Sequence, residues 1–285
     1  MRPIILTHRG LDPSRENYFK ESSMEAFADQ LRRGFGLEFD LQLSKDRRLI
    51  IIHDDNIGRL TDGKDRRKIN DITGAEILSM NFGGCHLTDL PTLLGFIRDK
   101  QSKECLSAIH LKHGSQEPAT LDLILDHLKT ADPTKFIVFD TKISTARYLK
   151  EHNPSLRLAP SVSHPYDIAR YNKVTGGTLY AVNEILPLRK LFDWVWLDEW
   201  DLSDTNGGTK SLYNEEVFTV LRTAGLSIAL VSPELHASSP GLLGGEAHPD
   251  AVSKTTLAAT LNKILALSPD LICSDYPDMI RALTT

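Results

Sequence analysis

Apolar positions along the chain fall in short, β-branched runs bounded by turn residues, and these alternate with stretches of helical period. Strands are expected near residues 3–7, 37–43, 106–112, 135–139, 156–160, 193–198, 226–232 and 270–274. A further extended piece, Leu49-Ile50-Ile51-Ile52, follows the turn Ser44-Lys45-Asp46-Arg47-Arg48. The clearest helix start is Ser22-Ser23-Met24-Glu25, which has the form of a capping box with Ser22 as N-cap and Glu25 three residues on. Met24, Phe27 and Leu31 then share a face, and Gly34 stops the helix. Other helical stretches occupy about 117–130, 142–152, 213–224 and 254–267.

Eight strands alternating with helices suggest parallel βα units. An open doubly wound sheet would carry a glycine-rich phosphate loop after its first strand, and no G-x-G-x-x-G occurs here. The expected fold is therefore an α/β protein of the closed (β/α)8 TIM-barrel type. No repeat, low-complexity tract or Pro/Ser-rich linker divides the chain, so residues 1–285 read as a single domain. Three connections, 54–92, 199–212 and 233–253, exceed the roughly 2–6 residues usual in α/β loops. All three follow strands, so in a barrel they crowd the C-terminal face, and 54–92 reads as a small insertion after the second strand. Gly207-Gly208 and Gly244-Gly245 would let two of them move.

Composition narrows the function classes. The chain is 41% apolar and 25% charged, ordinary globular stock that excludes a disordered polymer. With 33 basic against 38 acidic residues the formal charge is −5, and no basic stripe marks a nucleic-acid protein. An anionic substrate stays open, because a pocket's charge can oppose the net charge. Cys85, Cys105 and Cys273 are odd in number and scattered, which suits a reducing, cytoplasmic setting without disulfides. No run approaches the ~18 apolar residues that span a bilayer, and the start Met1-Arg2-Pro3-Ile4-Ile5-Leu6 reads as a strand rather than a signal peptide. Neither export nor stable membrane association is expected. The sequence sets no oligomeric state.

Chemistry collects at strand ends. Glu38 and Asp40 lie two apart in a strand and so face one way. Left unpaired they would repel and suffer desolvation, penalties that a hard divalent cation removes; alternatively they face water or pair with Arg32 or Arg33. His8-Arg9-Gly10 closes the first strand and His53-Asp54 closes the extension of the second. Two imidazoles can act as general base and general acid near neutral pH. Arg9 offers a forked cation for phosphate oxygens, and Gly10 lets backbone N–H groups approach a ligand. In Ile109-His110-Leu111-Lys112, His110 and Lys112 again share a face. Lys112 would balance charge on a phosphoryl group or serve as a buried counter-ion to the acids, and His110 would complete a set of metal ligands.

In this order the motifs resemble the glycerophosphodiester phosphodiesterases, metal-dependent enzymes on a (β/α)8 barrel. The likeness is carried by His-Arg-Gly at 8–10, Glu21-Ser22-Ser23-Met24-Glu25-Ala26-Phe27, Leu37-Glu38-Phe39-Asp40-Leu41-Gln42-Leu43-Ser44-Lys45-Asp46, His53-Asp54 and Arg59-Leu60-Thr61-Asp62-Gly63. Asp71-Ile72-Thr73, Leu90-Pro91-Thr92-Leu93 and Ser274-Asp275-Tyr276-Pro277-Asp278 continue it. It is strong over the first ~112 residues, follows strand order through the middle and returns at the last strand. The resemblance implies His8 and His53 as the catalytic pair, Glu38 and Asp40 as metal ligands, and Arg9 and Lys112 as phosphate contacts. It also implies that 54–92 caps the mouth and shapes the leaving-group site. The reaction implied is hydrolysis of a small glycerophosphodiester-like phosphodiester to an alcohol and a phosphomonoester such as glycerol 3-phosphate, within lipid and glycerol metabolism.

Three departures from the family pattern bear on this. The family commonly has Glu where His110 stands, a change that shifts the expected ion from Mg²⁺, Ca²⁺ or Mn²⁺ towards Mn²⁺, Co²⁺ or Zn²⁺; otherwise His110 does not ligate. Ser22 replaces the usual Asn. The seventh strand, Leu226–Ser232, lacks the family's Trp-Thr pair, and Trp200 or Trp196 would take over the substrate wall, Trp196 being equally readable as core. Asp198, Glu199 and Asp201 would then bond the hydroxyls of a sugar head group, or else form a solvated loop or a cap for Lys210 or Arg222. Two alternatives follow: a sugar phosphodiester hydrolase, and a non-catalytic barrel that binds a phosphorylated metabolite. The lack of an amphipathic, Lys/Arg-rich helix argues against a phospholipase C-like or sphingomyelinase D-like lipase on a related barrel.

Overall fold

The computed structural model describes residues 2–199, 211–234 and 254–285. Its strands are β1 (Ile4–His8), β2 (Gly36–Leu43), β3 (Leu49–Ile51), β4 (Ser107–His110), β5 (Phe136–Phe139), β6 (Leu158–Ala159), β7 (Ser161–Val162), β8 (Leu179–Tyr180), β9 (Trp194–Leu197), β10 (Ser227–Val231) and β11 (Leu271–Ser274). They form one sheet in the order β6-β5-β4-β2-β1-β11-β10-β9-β7-β8, with β3 paired to β2 off this path. Every pairing is parallel except the β2–β3 hairpin.

The sheet curls, bringing β6 at one end beside β9 near the other. Pro160 cannot donate a ladder hydrogen bond and divides one extended segment into β6, beside β5, and β7, beside β9. The amides of Asp193 and Trp196 donate to the carbonyls of Leu158 and Pro160 at 3.1 and 3.0 Å, so β9 runs along both halves. All eight expected strands are present. Leu179–Tyr180 is an addition that two residues cannot announce by alternation.

Alternation along the strands sorts side chains onto two faces. Leu37, Phe39 and Leu41 of β2 and Ile109 of β4 pack outward with Phe27, Leu93 and Ile97. Those last three belong to the helices α1 (Met24–Arg32) and α3 (Leu90–Lys100). The opposite face holds Leu6, Ala108, Ile137, Phe139, Trp196, Ala229, Leu271 and Cys273. By the same parity His8, Glu38, Asp40 and His110 share that inner face, at the C-terminal ends of their strands.

Helix α1 starts one residue later than its capping pattern suggests. Ser23 is the N-cap, its Oγ accepting from the Ala26 amide at 3.2 Å. Ser22 precedes it at φ +56°, a region that Asn enters more easily than Ser. Glu25 instead takes the His86 amide at 2.9 Å and faces His86 Nδ1 at 2.9 Å. With the Met24 amide bonded to the His86 carbonyl, the end of the segment after β3 is tied to α1. That segment carries the short helix α2 (Gly74–Ser79) and its own apolar cluster of Ile57, Leu60, Ile69, Ile72, Ile77, Phe82 and Leu87 against Ile50 and Ile52. It ends at Asp89, whose side chain caps α3 by accepting from the Thr92 amide. Residues 90–92, expected in the insertion, are the first turn of α3. The remaining helices are α4 (Pro118–Leu128), α5 (Ile143–His152), α6 (Pro165–Thr175), α7 (Val182–Ile185), α8 (Glu215–Thr223), α9 (Lys254–Ala266) and α10 (Pro277–Leu283). No described helix is long and apolar enough to cross a membrane, and the three cysteines are unpaired.

Candidate active site

The strand register assembles the site. His8 is the partner of Glu38 across β1–β2, Asp40 that of His110 across β2–β4, and His110 that of Phe139 across β4–β5. Ligand atoms of Glu38, Asp40 and His110 all lie within 4.8 Å of one another. Asp40 is fully buried and its Oδ2 accepts no hydrogen bond among the described residues, with Arg9 Nε 3.4 Å away. Two carboxylates and an imidazole converging on a buried, unsatisfied oxygen are a donor set that fits a divalent cation. Arg32 and Arg33, the alternative partners for the acids, turn elsewhere: both bond Asp29, and Arg33 also bonds Asp12.

Each catalytic candidate is a His–Asp dyad. His8 Nδ1 lies 2.8 Å from Asp275 Oδ1, beyond the end of β11. His53 Nδ1 lies 2.7 Å from Asp54 Oδ1, and Arg59 grips Asp54 through Nε and Nη2 at 2.8 and 2.9 Å. Burial, then the Arg9 cation, presses the His8 imidazole well below its ordinary value; the same two causes bring His53 down to about 3. Both rings are therefore neutral at pH 7. With Nδ1–H given to a carboxylate, each keeps its lone pair on Nε2. Asp54 stays below the usual carboxylate range, because its bonds from His53 and Arg59 outweigh its burial.

Cations surround this face. Lys112 Nζ donates to the His53 carbonyl at 2.6 Å and stands 3.6 Å from Asp40 Oδ1. It stands where a counter-ion to Asp40 would. Arg9, with φ +54°, donates its amide to Glu38 Oε2 at 3.3 Å and has Glu21 3.7 Å from Nη1. Glu21 also pairs with Arg59. Gly10 also meets a packing need: at φ +73° a Cβ there would lie 3.0 Å from Ala26 Cβ and 3.2 Å from the Phe27 ring. The glycine lets α1 close on the strand end.

Charges in the cluster are strongly perturbed. Burial, then Asp40, pushes the Glu38 carboxyl up to about 8. Asp40 sits well below the carboxylate range because Lys112, His53 and His110 outweigh its burial. His110 is pushed up to about 9, its burial overcome by hydrogen bonds to Asp140 and Asp40.

Four polar residues of the site had no role assigned from the sequence: Asp275, the partner of His8, and Arg59, behind Asp54, stood inside the quoted motifs, whereas Asp140, beside His110, and Glu234 were not named. Glu234 Oε1 accepts from Ser232 Oγ at 2.6 Å and from the Asp275 amide at 3.1 Å. Asp140, Glu234 and Asp275 each lie just past a strand end, the positional signal that could have found them. Trp196 is core: its ring stacks on Phe139 at 3.9 Å and is 2% exposed. Glu199 accepts the amides of Leu212 and Tyr213 on Oε2. Arg222, its suggested partner, donates to the Leu267 carbonyl at 3.0 Å. Trp200, Asp201 and Lys210 lie outside the described residues. An open cleft of about 600 Å³, lined by Asp54, Asn56, Gly58, Arg59, Asp62, Gly63 and Arg66, adjoins the His53 dyad.

Several known proteins are similar to this chain. A glycerophosphodiester phosphodiesterase of Caldanaerobacter subterraneus subsp. tengcongensis is 32% identical over 84 residues, which cover 29% of this chain and about a third (32%) of that relative. A glycerophosphoryl diester phosphodiesterase from Parabacteroides distasonis superposes with a TM-score of 0.66 at 19% identity, over 99% of this chain and 86% of that one. A glycerophosphodiester phosphodiesterase from Thermotoga maritima gives 0.60 at 18%, over 99% of each chain. An Oleispira antarctica phosphodiesterase, solved in complex with the product sn-glycerol-3-phosphate, gives 0.64 at 17%, over 99% and 96%. These likenesses show the fold. Residues 8–184, more than half of the chain, match the profile of the Glycerophosphoryl diester phosphodiesterase family, and the chain belongs to this family of phosphoric diester hydrolases.

Proposed function

We propose that the protein hydrolyses a small glycerophosphodiester to an alcohol and a phosphomonoester of the glycerol 3-phosphate kind, on a single-domain (β/α)8 barrel whose mouth is flanked by residues 54–89. The product bound by the Oleispira relative supports this substrate class. The observation that carries the reading is the pair of His–Asp dyads beside the Glu38–Asp40–His110 cluster, His8 next to Glu38 across β1–β2 and His53 joined to Asp40 through Lys112.

Glu38, Asp40 and His110 would hold a divalent ion, of Mg²⁺, Ca²⁺, Mn²⁺, Co²⁺ or Zn²⁺ type. Such an ion polarises a phosphoryl oxygen and lowers the pKa of a nearby hydroxyl or water. Arg9 and Lys112 bind the phosphate and offset charge developing on it. One histidine takes the nucleophile's proton on its Nε2 lone pair; the other, once the phosphate anion beside it lets it take a proton from water on its own Nε2, delivers that proton to the departing alcohol oxygen. Asp275 and Asp54 hold the two rings in the required tautomer, as the carboxylate does in a Ser-His-Asp triad. A degenerate barrel that binds without turnover has no need of two such dyads. The test is release of glycerol 3-phosphate from glycerophosphodiesters of varied alcohol, with each ion in turn. Product is expected with at least one ion; binding without product under every ion would reject the reading.

A further inference from the structure

The two ring nitrogens of His110 face different carboxylates. Nδ1 lies 2.7 Å from Asp40 Oδ1 and 3.9 Å from Glu38 Oε1, on the side of the proposed ion. Nε2 lies 3.3 Å from Asp140 Oδ2 on the other side. The ring plane is set by stacking on Phe139 at 4.6 Å and 17°, and Phe139 stacks in turn on Trp196. Asp140 is buried at the end of β5 with φ +62°. Its backbone is pinned, because Gln116 Nε2 donates to its carbonyl at 2.8 Å while Gln116 Oε1 accepts the Lys142 amide at 2.9 Å. Asp140 lies outside the three-residue set whose ligand atoms converge within 4.8 Å.

A ligating imidazole must be neutral, with its lone pair towards the ion and its other nitrogen protonated. A carboxylate that accepts this second N–H fixes the tautomer, holds the ring and makes the ligating nitrogen more basic. We propose that Asp140 is a positioning residue that accepts Nε2–H of His110 and so presents Nδ1 to a divalent ion held with Glu38 and Asp40. The inference rests on the metal reading of the cluster and adds to it. It also bears on ion choice, since an imidazole so oriented favours Zn²⁺, Co²⁺ or Mn²⁺ over Mg²⁺ or Ca²⁺, while Asp140 supplies a negative charge that the neutral ring does not.

The test is isothermal titration of the chelator-stripped full chain with Zn²⁺, Co²⁺, Mn²⁺ and Mg²⁺, together with the absorption spectrum of the Co²⁺ form. The variants are D140N, H110E and H110E/D140N. Asn keeps the side chain's shape and tolerates positive φ, so the metal-free melting temperature should stay near that of the unaltered protein. D140N is expected to weaken Zn²⁺ and Co²⁺ binding by about 10- to 100-fold and to change the Co²⁺ spectrum. With the imidazole gone, H110E/D140N should bind no more weakly than H110E. Unchanged affinity in D140N, or equal weakening in both backgrounds, overturns the proposal; the second result is what a simple fold defect would give. An unaltered chain that binds none of the ions would overturn the metal reading as well, whereas a silent D140N in a chain that binds them overturns only the role of Asp140.

Discussion

At the scale of single residues, the two dyads make separable predictions. If His8 and His53 transfer protons as proposed, turnover should fall by ~10² to 10⁴ in each of H8Q and H53Q while the melting temperature holds. D275N leaves a ring at position 8 but withdraws the carboxylate that accepts its Nδ1–H at 2.8 Å. The Asn amide can donate to Nδ1 and so favour the wrong tautomer. Turnover in D275N should therefore fall into the same range as in H8Q, with the H8Q/D275N double variant no worse than H8Q, as for residues that act as a unit. Kinetics of the three variants on one glycerophosphodiester decide this; additive losses would mean that Asp275 acts independently of His8. The histidines were legible from the sequence as strand-end residues. Asp275 is 267 positions from its partner, and only the closing of β11 onto β1 brings the two together.

Elements raise a different kind of question, since here local pattern competes with tertiary packing. Strand alternation placed β2 and the inward direction of Glu38 and Asp40, because a half-apolar strand commits its two faces in sequence. The helix start was displaced by one residue, because Ser22 and Ser23 both look like caps and only backbone geometry separates them. Since Ser23 Oγ makes the capping bond, S23A should cost about 1 kcal/mol of stability, measurable by urea denaturation; S22A should cost less, and the reverse order would restore Ser22 as the cap. The start of β2 is more sharply constrained. A Cβ at Gly36 would fall 1.8 Å from the Leu106 carbonyl oxygen and 2.4 Å from Leu6 Cδ2. G36A therefore forces apart strands that the site depends on, and should destabilise by about 3 kcal/mol. The sequence displays Gly36 next to Gly34, yet gives no hint that one needs space and the other only a positive φ. That difference exists only once β4 lies alongside. The segment after β3 stood out in the sequence by its length, whereas its own apolar cluster did not, because isoleucines spaced irregularly through a loop show no period.

For the whole molecule, the balance of charge at the site links ion binding to folding. In the folded chain Glu38 titrates at about 8 instead of 4.5, and His110 at about 9 instead of 6.5. Both raised values mean that the folded state holds protons more tightly than the unfolded state. Their contribution is complete below the unfolded values and is lost as pH rises through 8 and 9. His8 and His53 are pressed down instead, so their contribution is complete above 6.5 and is lost as pH falls below it. Between pH 6.5 and 9 the histidine dyads are therefore constant, while Glu38 and His110 lose their protons into a site where burial disfavours the carboxylates. Lys112, pressed down by burial, works in the opposite sense near the alkaline end. The metal-free protein should melt at progressively lower temperature across this range. A divalent ion held as proposed would take the place of the protons on Glu38 and His110 and bind only the folded state, so its stabilising effect should grow over the same interval. Thermal melts at pH 6.5, 7.5 and 9, with and without Mn²⁺, measure this directly: the melting-temperature gain on adding the ion should rise with pH. In an E38Q variant, which can neither take up nor release that proton, the gain should be smaller and flatter. A gain that is the same at all three pH values would separate the acidic cluster from ion binding and leave Glu38, Asp40 and His110 as a buried ion-pair network.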